Sequence, residues 1–263
     1  MSDDILAVIK TLVIGRLVEP ASELHTWEWA RTRSAVYELV GKPATAASLT
    51  SLYRAGDRLL LLKDEIERHL TAREKDLFAL TEKMFFFDLT NTYCEGAALA
   101  NPKAKYGRSK EKRSDCKIIT PGLIIDEMGF PKSTRVFEGN KSEPLTLGLR
   151  PNFHQKEQRA DAHLFISVLA YHILNIVEYR LRAAGIHASW ARVRNMMSTH
   201  ERITISFKTR AEDGNVKNQF IRLNSRLTPD QLEIYRILKL SPVPLPRKKL
   251  SPKGVVTTLF DNS

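Results

Sequence analysis

Acidic residues are scarce in this chain, and the shortage sets the first expectation. Thirty Asp and Glu stand against 41 Lys and Arg, leaving a net charge of +11 over 263 residues and a pI near 9.7. Such a balance favours a polyanionic partner, with nucleic acid first. Cysteine is scarcer still. Cys94 and Cys116 are the only two, which offers neither a disulfide framework nor metal-ligand spacing and points to a reducing compartment. Long apolar runs are missing as well. Ala162 to Val177 is the most apolar stretch, but His163, Ser167, His172 and Asn175 interrupt it, and it falls short of the ~20 residues a bilayer requires. The opening MSDDILAVIK is acidic where a signal peptide would be basic. A soluble, cytoplasmic protein with no membrane partner is expected.

The stretch FFFDLTNTYCEG, Phe85 to Gly96, organises the rest. Met84 to Phe87 is apolar on both faces, the pattern of a short strand buried within a covered sheet. Asp88 follows at its carboxyl end. A carboxylate facing the interior of a sheet needs a cation or several donors, and a divalent metal is a common functional solution. Capping of the turn made by Thr90 and Asn91 is the structural alternative.

The first 80 residues read as helical. Ile5, Leu6, Val8, Ile9, Leu12, Val13 and Leu17 recur at helical spacing up to Pro20. Ser22 restarts a helix whose apolar face continues through Val36, Leu39 and Val40 to Gly41. Two more are expected over 47–55 and 57–69, broken at Gly56. After Asp88 the character changes. Residues 101–117 hold seven basic side chains, Lys103, Lys105, Arg108, Lys110, Lys112, Arg113 and Lys117, against two acids. Such a segment binds phosphates by charge without choosing a sequence; a solvated loop is the plain alternative. Ile118 to Ile125 and Thr134 to Phe137 read as two strands joined through Asp126, Glu127, Gly129 and Pro131.

FDLTNTYCEG, YGRSKEKRSDCKIITPGLIIDEMGFP and RVFEGNKSEP together resemble the amino-terminal half of the catalytic domain of insertion-sequence DDE transposases, the group called transposase type four. The resemblance implies a ribonuclease H-like fold and DNA transposition: hydrolysis of the element's end phosphodiester, then transfer of the freed 3′ hydroxyl to target DNA. It places the first catalytic Asp at Asp88, holding Mg²⁺ with a second Asp on a later strand and a Glu on a later helix. Pro121 departs from the family's apolar pattern within the second strand. A larger departure follows. GNKSEP leads towards the second Asp in the family, whereas LGLRPNFHQKEQRADAHLF resembles the segment after the catalytic Glu helix. Here they are fused near Leu147 and Gly148. Gly139 to Arg150 leaves no room for a parallel crossover of a dozen residues or more, so an internal deletion is inferred.

Asp115, Asp126, Glu138 and Glu143 are candidate substitutes, each reading better as a surface or turn residue. His163 and His172, nine apart, have no zinc spacing. A long apolar helix is expected over 159–184, packing against strands it was not shaped for, then a short helix at Trp190 to Met197 and a hairpin of RITISFK with Val216 to Leu223. Thr228, Pro229 and Gln231 write a capped helix start. The tail PVPLPRKKLSPK reads as extended or disordered, touching DNA without specificity or simply solvated.

The expected class is α+β: a helical region over 1–80, the first half of a ribonuclease H-like mixed sheet over 81–147, the carboxyl part of the transposase domain over 148–240 and a basic tail over 241–263. The expected function is a catalytically inactive transposase remnant bound to double-stranded DNA. The alternative is a noncatalytic DNA-binding protein or an inhibitor of an intact transposase, with that relative or a second copy as its partner. An open sheet edge and an exposed apolar face are expected where the deleted elements would have packed.

Overall fold

The computed structural model describes residues 2–41, 47–80, 84–94, 96–107, 115–139, 156–210 and 216–250. Among them are eight helices and two antiparallel sheets, an α+β fold. Five helices come first: α1 (Asp3–Val18), α2 (Glu23–Thr32), α3 (Val36–Leu39), α4 (Leu49–Leu61) and α5 (Lys63–Phe78). Ser2, Ser22 and Ser48 cap α1, α2 and α4, each side chain accepting from a backbone N–H of the first turn, which satisfies donors the helix cannot pair. The expected continuous helix from Ser22 to Val40 is instead split, α2 ending at its C-cap Arg33. Gly56 does not break α4. A Cβ at that position would lie 3.5 Å from the Ala162 Cβ, so the glycine marks where α4 comes close to a neighbouring helix rather than a turn.

The first sheet holds β1 (Phe85–Leu89), β2 (Thr92–Tyr93), β3 (Ile118–Asp126) and β4 (Pro131–Glu138). β3 is central. It pairs antiparallel with β1 and β2 on one side and with β4 on the other. The mixed sheet expected from the resemblance is therefore antiparallel among the described residues, because the strands present are sequential neighbours joined by turns and loops.

α6 (Glu157–Ala183) follows and organises the interior. Phe165, Ile166 and Ala170 join the buried cluster of α1, α2 and α4; Ala160 and Leu164 join Cys94, Ala104 and Ile119; Leu181 joins Val193 and Ile234. α6 is also the one helix among the described residues long and apolar enough to cross a membrane, yet more than half of that apolar stretch is buried in the protein. Beyond it come α7 (Trp190–Met197), β5 (Arg202–Arg210), β6 (Val216–Asn224), α8 (Pro229–Ile237) and β7 (Lys248–Leu250). The Thr228–Gln231 capping box forms as its spacing predicts, with Pro229 in the first turn. The tail, by contrast, is not loose at 248–250: β7 pairs with β6 as a third strand.

α6 is fitted to the amino-terminal helices by polar pairs. His163 Nδ1 lies 2.8 Å from Glu23 Oε1, and His172 Nδ1 lies 2.5 Å from Glu74 Oε1. All four residues are buried. Buried carboxylates survive only when such partners satisfy them, so these contacts fix how α6 sits against α2 and α5. They also give both histidines a structural place, consistent with the lack of zinc spacing.

Candidate functional site

Asp88 lies in β1 directly across the ladder from Leu123, which in turn stands across from Thr134 of β4. Residues opposite each other share a face. The Asp88 face is the one that meets the helices, since Leu123, Thr134 and Val136 line, with Leu164, Phe165 and Val168 of α6, a cavity of about 400 Å³. α6 therefore stands off part of the sheet. The gap lies between a helix and the strands it covers.

Phe85, Phe86 and Phe87 are not buried. They are 55, 51 and 59% exposed, a correction to the covered strand expected from their composition. β1 has one ladder partner, β3, among the described residues, so its outer flank lacks the neighbours that would enclose three aromatics. Phe87 leans instead over its own sheet. Its ring meets Phe137 edge-on with centroids 6.5 Å apart, and a Cβ on Gly122 would lie 2.8 Å from the Phe137 ring and 3.1 Å from that of Phe87. Glycine at 122 is what lets these rings approach the strand.

Pro121 is accommodated within the central strand. Its carbonyl accepts from Thr90 N at 2.9 Å, and the N–H and C=O of one antiparallel residue point the same way. The missing donor thus faces the Thr90–Asn91 step between β1 and β2, where the ladder is already interrupted. Asn91 closes that step by accepting from Thr120 Oγ1.

The substitute acids separate by position. Asp126 is 1% exposed. Its Oδ1 accepts from Met128 N and Phe130 N, shaping the β3–β4 turn, while its Oδ2 lies 3.1 Å from Lys132 Nζ. Its oxygens are occupied by the turn and a lysine, which agrees with a turn role. Asp115 and Glu138 are exposed, and Glu143 lies outside the described residues. No group of three or more His, Cys, Asp or Glu side chains gathers as a metal site among the described residues. Asp126 does not fit as a further ligand for the Mg²⁺ that the resemblance implies at Asp88.

Of the seven basic residues expected at DNA, Arg108, Lys110, Lys112 and Arg113 lie outside the described residues. Lys105 is exposed and Lys117 half-buried. Lys103 turns inward, 2.6 Å from Asp161 Oδ2 and 3.0 Å from Glu157 Oε1 of α6. Burial pulls its ammonium down, but the hydrogen bonds to Asp161 and Glu157 outweigh burial and hold it above the ordinary lysine range. Its charge is thus neutralised by α6 rather than offered outward.

Neither cysteine forms a disulfide, and both are buried. Burial first, then the neighbouring Cys116, pushes the Cys94 thiol up to about 11. At pH 8 about one molecule in a thousand carries the thiolate at that value, so by thiolate fraction alone Cys94 should react with a disulfide reagent about 100-fold more slowly in the native than in the unfolded chain. Tyr37, Tyr53 and Tyr235 are also raised by burial. Each of these groups releases its proton in the unfolded chain before it does so in the folded one. Through these groups stability should therefore fall as pH rises above about 9. A urea midpoint that is equal at pH 8 and pH 10.5 would contradict this.

Sequence reasoning missed the buried acids. Glu67 and Glu74 are seven residues apart and so lie on one stripe of α5. That spacing was the available signal. Glu67 Oε1 accepts from both the backbone N–H and the hydroxyl of Thr134, at 2.9 and 2.8 Å, while Lys63 Nζ donates to Oε2. This carboxylate covers part of the β4 edge with hydrogen bonds from a helix.

No family model matches the chain, and no curated protein or solved structure is similar to it at a significant level.

Proposed function

We propose that the chain is a transposase-derived protein that binds duplex DNA and does not catalyse strand transfer. The observation that carries this reading is the half-sheet itself. An acid-bearing strand, β1, leads an antiparallel set whose outer side at β1 has no ladder partner among the described residues. That is the form expected of a nuclease-type sheet cut short after its opening strands, matching the fused motifs near Leu147. Two-metal phosphoryl transfer requires several carboxylates from separate elements. Asp88 is the family's first, and the sequence leaves no room for the strand and helix that bring the others. What persists is affinity for phosphate: a net charge of +11 with Lys105 and Lys117 exposed or half-exposed in the basic segment. A reducing, cytoplasmic setting agrees with two cysteines that form no disulfide. Regulation of an intact relative, by pairing with it, is the second reading, favoured by the exposed Phe85–Phe87 edge.

Salt titration of binding to a duplex tests this reading. If about five side chains reach phosphates, log K falls with log salt at a slope on the order of −4 to −5. Affinity that is absent, or insensitive to salt, would overturn it.

A further inference from the structure

The second sheet is written without acid. β5, β6 and β7 carry seven Lys and Arg residues and no Asp or Glu, and residues 202–250 hold eleven basic residues against four acidic. Most of the chain's positive excess therefore sits here and not in the segment around Lys103. The strand register divides these residues between two faces. Ile203, Ile205 and Phe207 share one face with Leu223, Ile221 and Lys249; Arg202, Thr204, Ser206 and Lys208 share the other with Arg222, Phe220, Asn218 and Lys248. Among the described residues one acid meets the basic face. Glu38 of α3 holds Arg202 at 3.1 Å and Arg222 at 2.6 Å, so two cations share a single carboxylate. Lys208, Arg247 and Lys248 are exposed, and Lys248 stands directly across the ladder from Arg222. Like charges opposite one another destabilise a ladder, and a bound anion removes that repulsion.

We propose that the basic face of β5–β6–β7 is the main phosphate-binding surface of the protein and that it takes the backbone of duplex DNA. The inference rests on the DNA-binding reading above and names its surface. From Arg202 to Lys208 the strand runs about 20 Å, the axial rise of about six base pairs. Hydroxyl and amide side chains, Thr204, Ser206 and Asn218, alternate with the cations, and these are the residue types that contact phosphates beside Lys and Arg. Glu38 ties the base of the ribbon to the helical body and leaves the lysines outward. A bilayer surface fits less well. The exposed Ile203, Ile205 and Phe207 lie on the opposite face, so a sheet resting on lipid by those residues would turn Lys208 and Lys248 away from the headgroups and bring Lys249 towards them.

The test is the salt dependence of binding to a labelled duplex for Lys208→Ala/Lys248→Ala in the full chain. Loss of two phosphate contacts should flatten the slope by about 1.8, with the thermal midpoint unchanged or raised, since Lys248 no longer faces Arg222. Lys208→Arg/Lys248→Arg should restore the slope, which a merely structural role for these lysines would not require. Binding with an unchanged slope in the alanine variant overturns the inference and leaves the DNA-binding reading standing. So does a slope abolished by Lys110→Ala/Lys112→Ala/Arg113→Ala alone. Failure of the unaltered chain to bind any duplex overturns the function itself. In a vesicle arm, weaker binding of the alanine variant to phosphatidylserine-containing vesicles, with DNA binding intact, would reassign the face to membranes and overturn the inference.

Discussion

Replacement of Glu67 by alanine should destabilise the protein by about 3 kcal/mol, the scale seen when one member of a buried charge pair is removed. The side chain is 9% exposed and joins four donors, Lys63 Nζ, Ser133 Oγ, Thr134 N and Thr134 Oγ1. Alanine leaves a backbone N–H and a hydroxyl buried beside it without an acceptor. A domain of this kind has only about 5–15 kcal/mol of total stability, so the loss should be plain in a urea titration with an unchanged m-value. Glu67→Gln keeps an acceptor for Thr134 and gives up the charge opposite Lys63; it should fall between the two. An alanine variant within about 0.5 kcal/mol of the original, the usual range for a surface change, would mean that α5 does not hold β4 as described.

Hydrogen exchange should separate β1 from α6 just as clearly. Amides of Phe85 to Phe87 lie on a strand with one ladder partner among the described residues and half-exposed aromatic side chains. Those of Leu164 to Leu174 lie inside a helix that enters all three buried clusters. Opening free energies differ widely between such regions, and a difference of about 3 kcal/mol corresponds to roughly 100-fold in exchange. Equal, strong protection in both would show that the outer side of β1 is covered and would remove the structural support for an interrupted sheet.

Much of the fold was legible where the information is local. Trp190 to Met197, the hairpin of β5 with β6 and the Thr228 start of α8 are all set by residues within a few positions of one another, and each forms as read. Misreadings fall where a distant partner decides. Three aromatics in a row look buried until the number of neighbouring strands is known. Gly56 looks like a break until Ala162 of α6 is seen against it. Lys248 and Lys249 look like a loose basic tail, because pairing with β6 lies some 27 residues back along the chain. The candidate site was legible only in part. Asp88 was placed correctly at the end of a strand, whereas the inward turn of Lys103 depends on Asp161, 58 residues later.

The most direct test of the account places the purified protein on supercoiled plasmid with Mg²⁺ or Mn²⁺. Before deproteinisation the plasmid should be retarded on a gel, increasingly so as salt is lowered; after deproteinisation it should remain fully supercoiled. Asp88→Ala should behave identically in both respects. Nicked or strand-transferred product that appears with the unaltered protein and disappears with Asp88→Ala would contradict the account, since it would mean that other carboxylates of the chain complete a working site around Asp88.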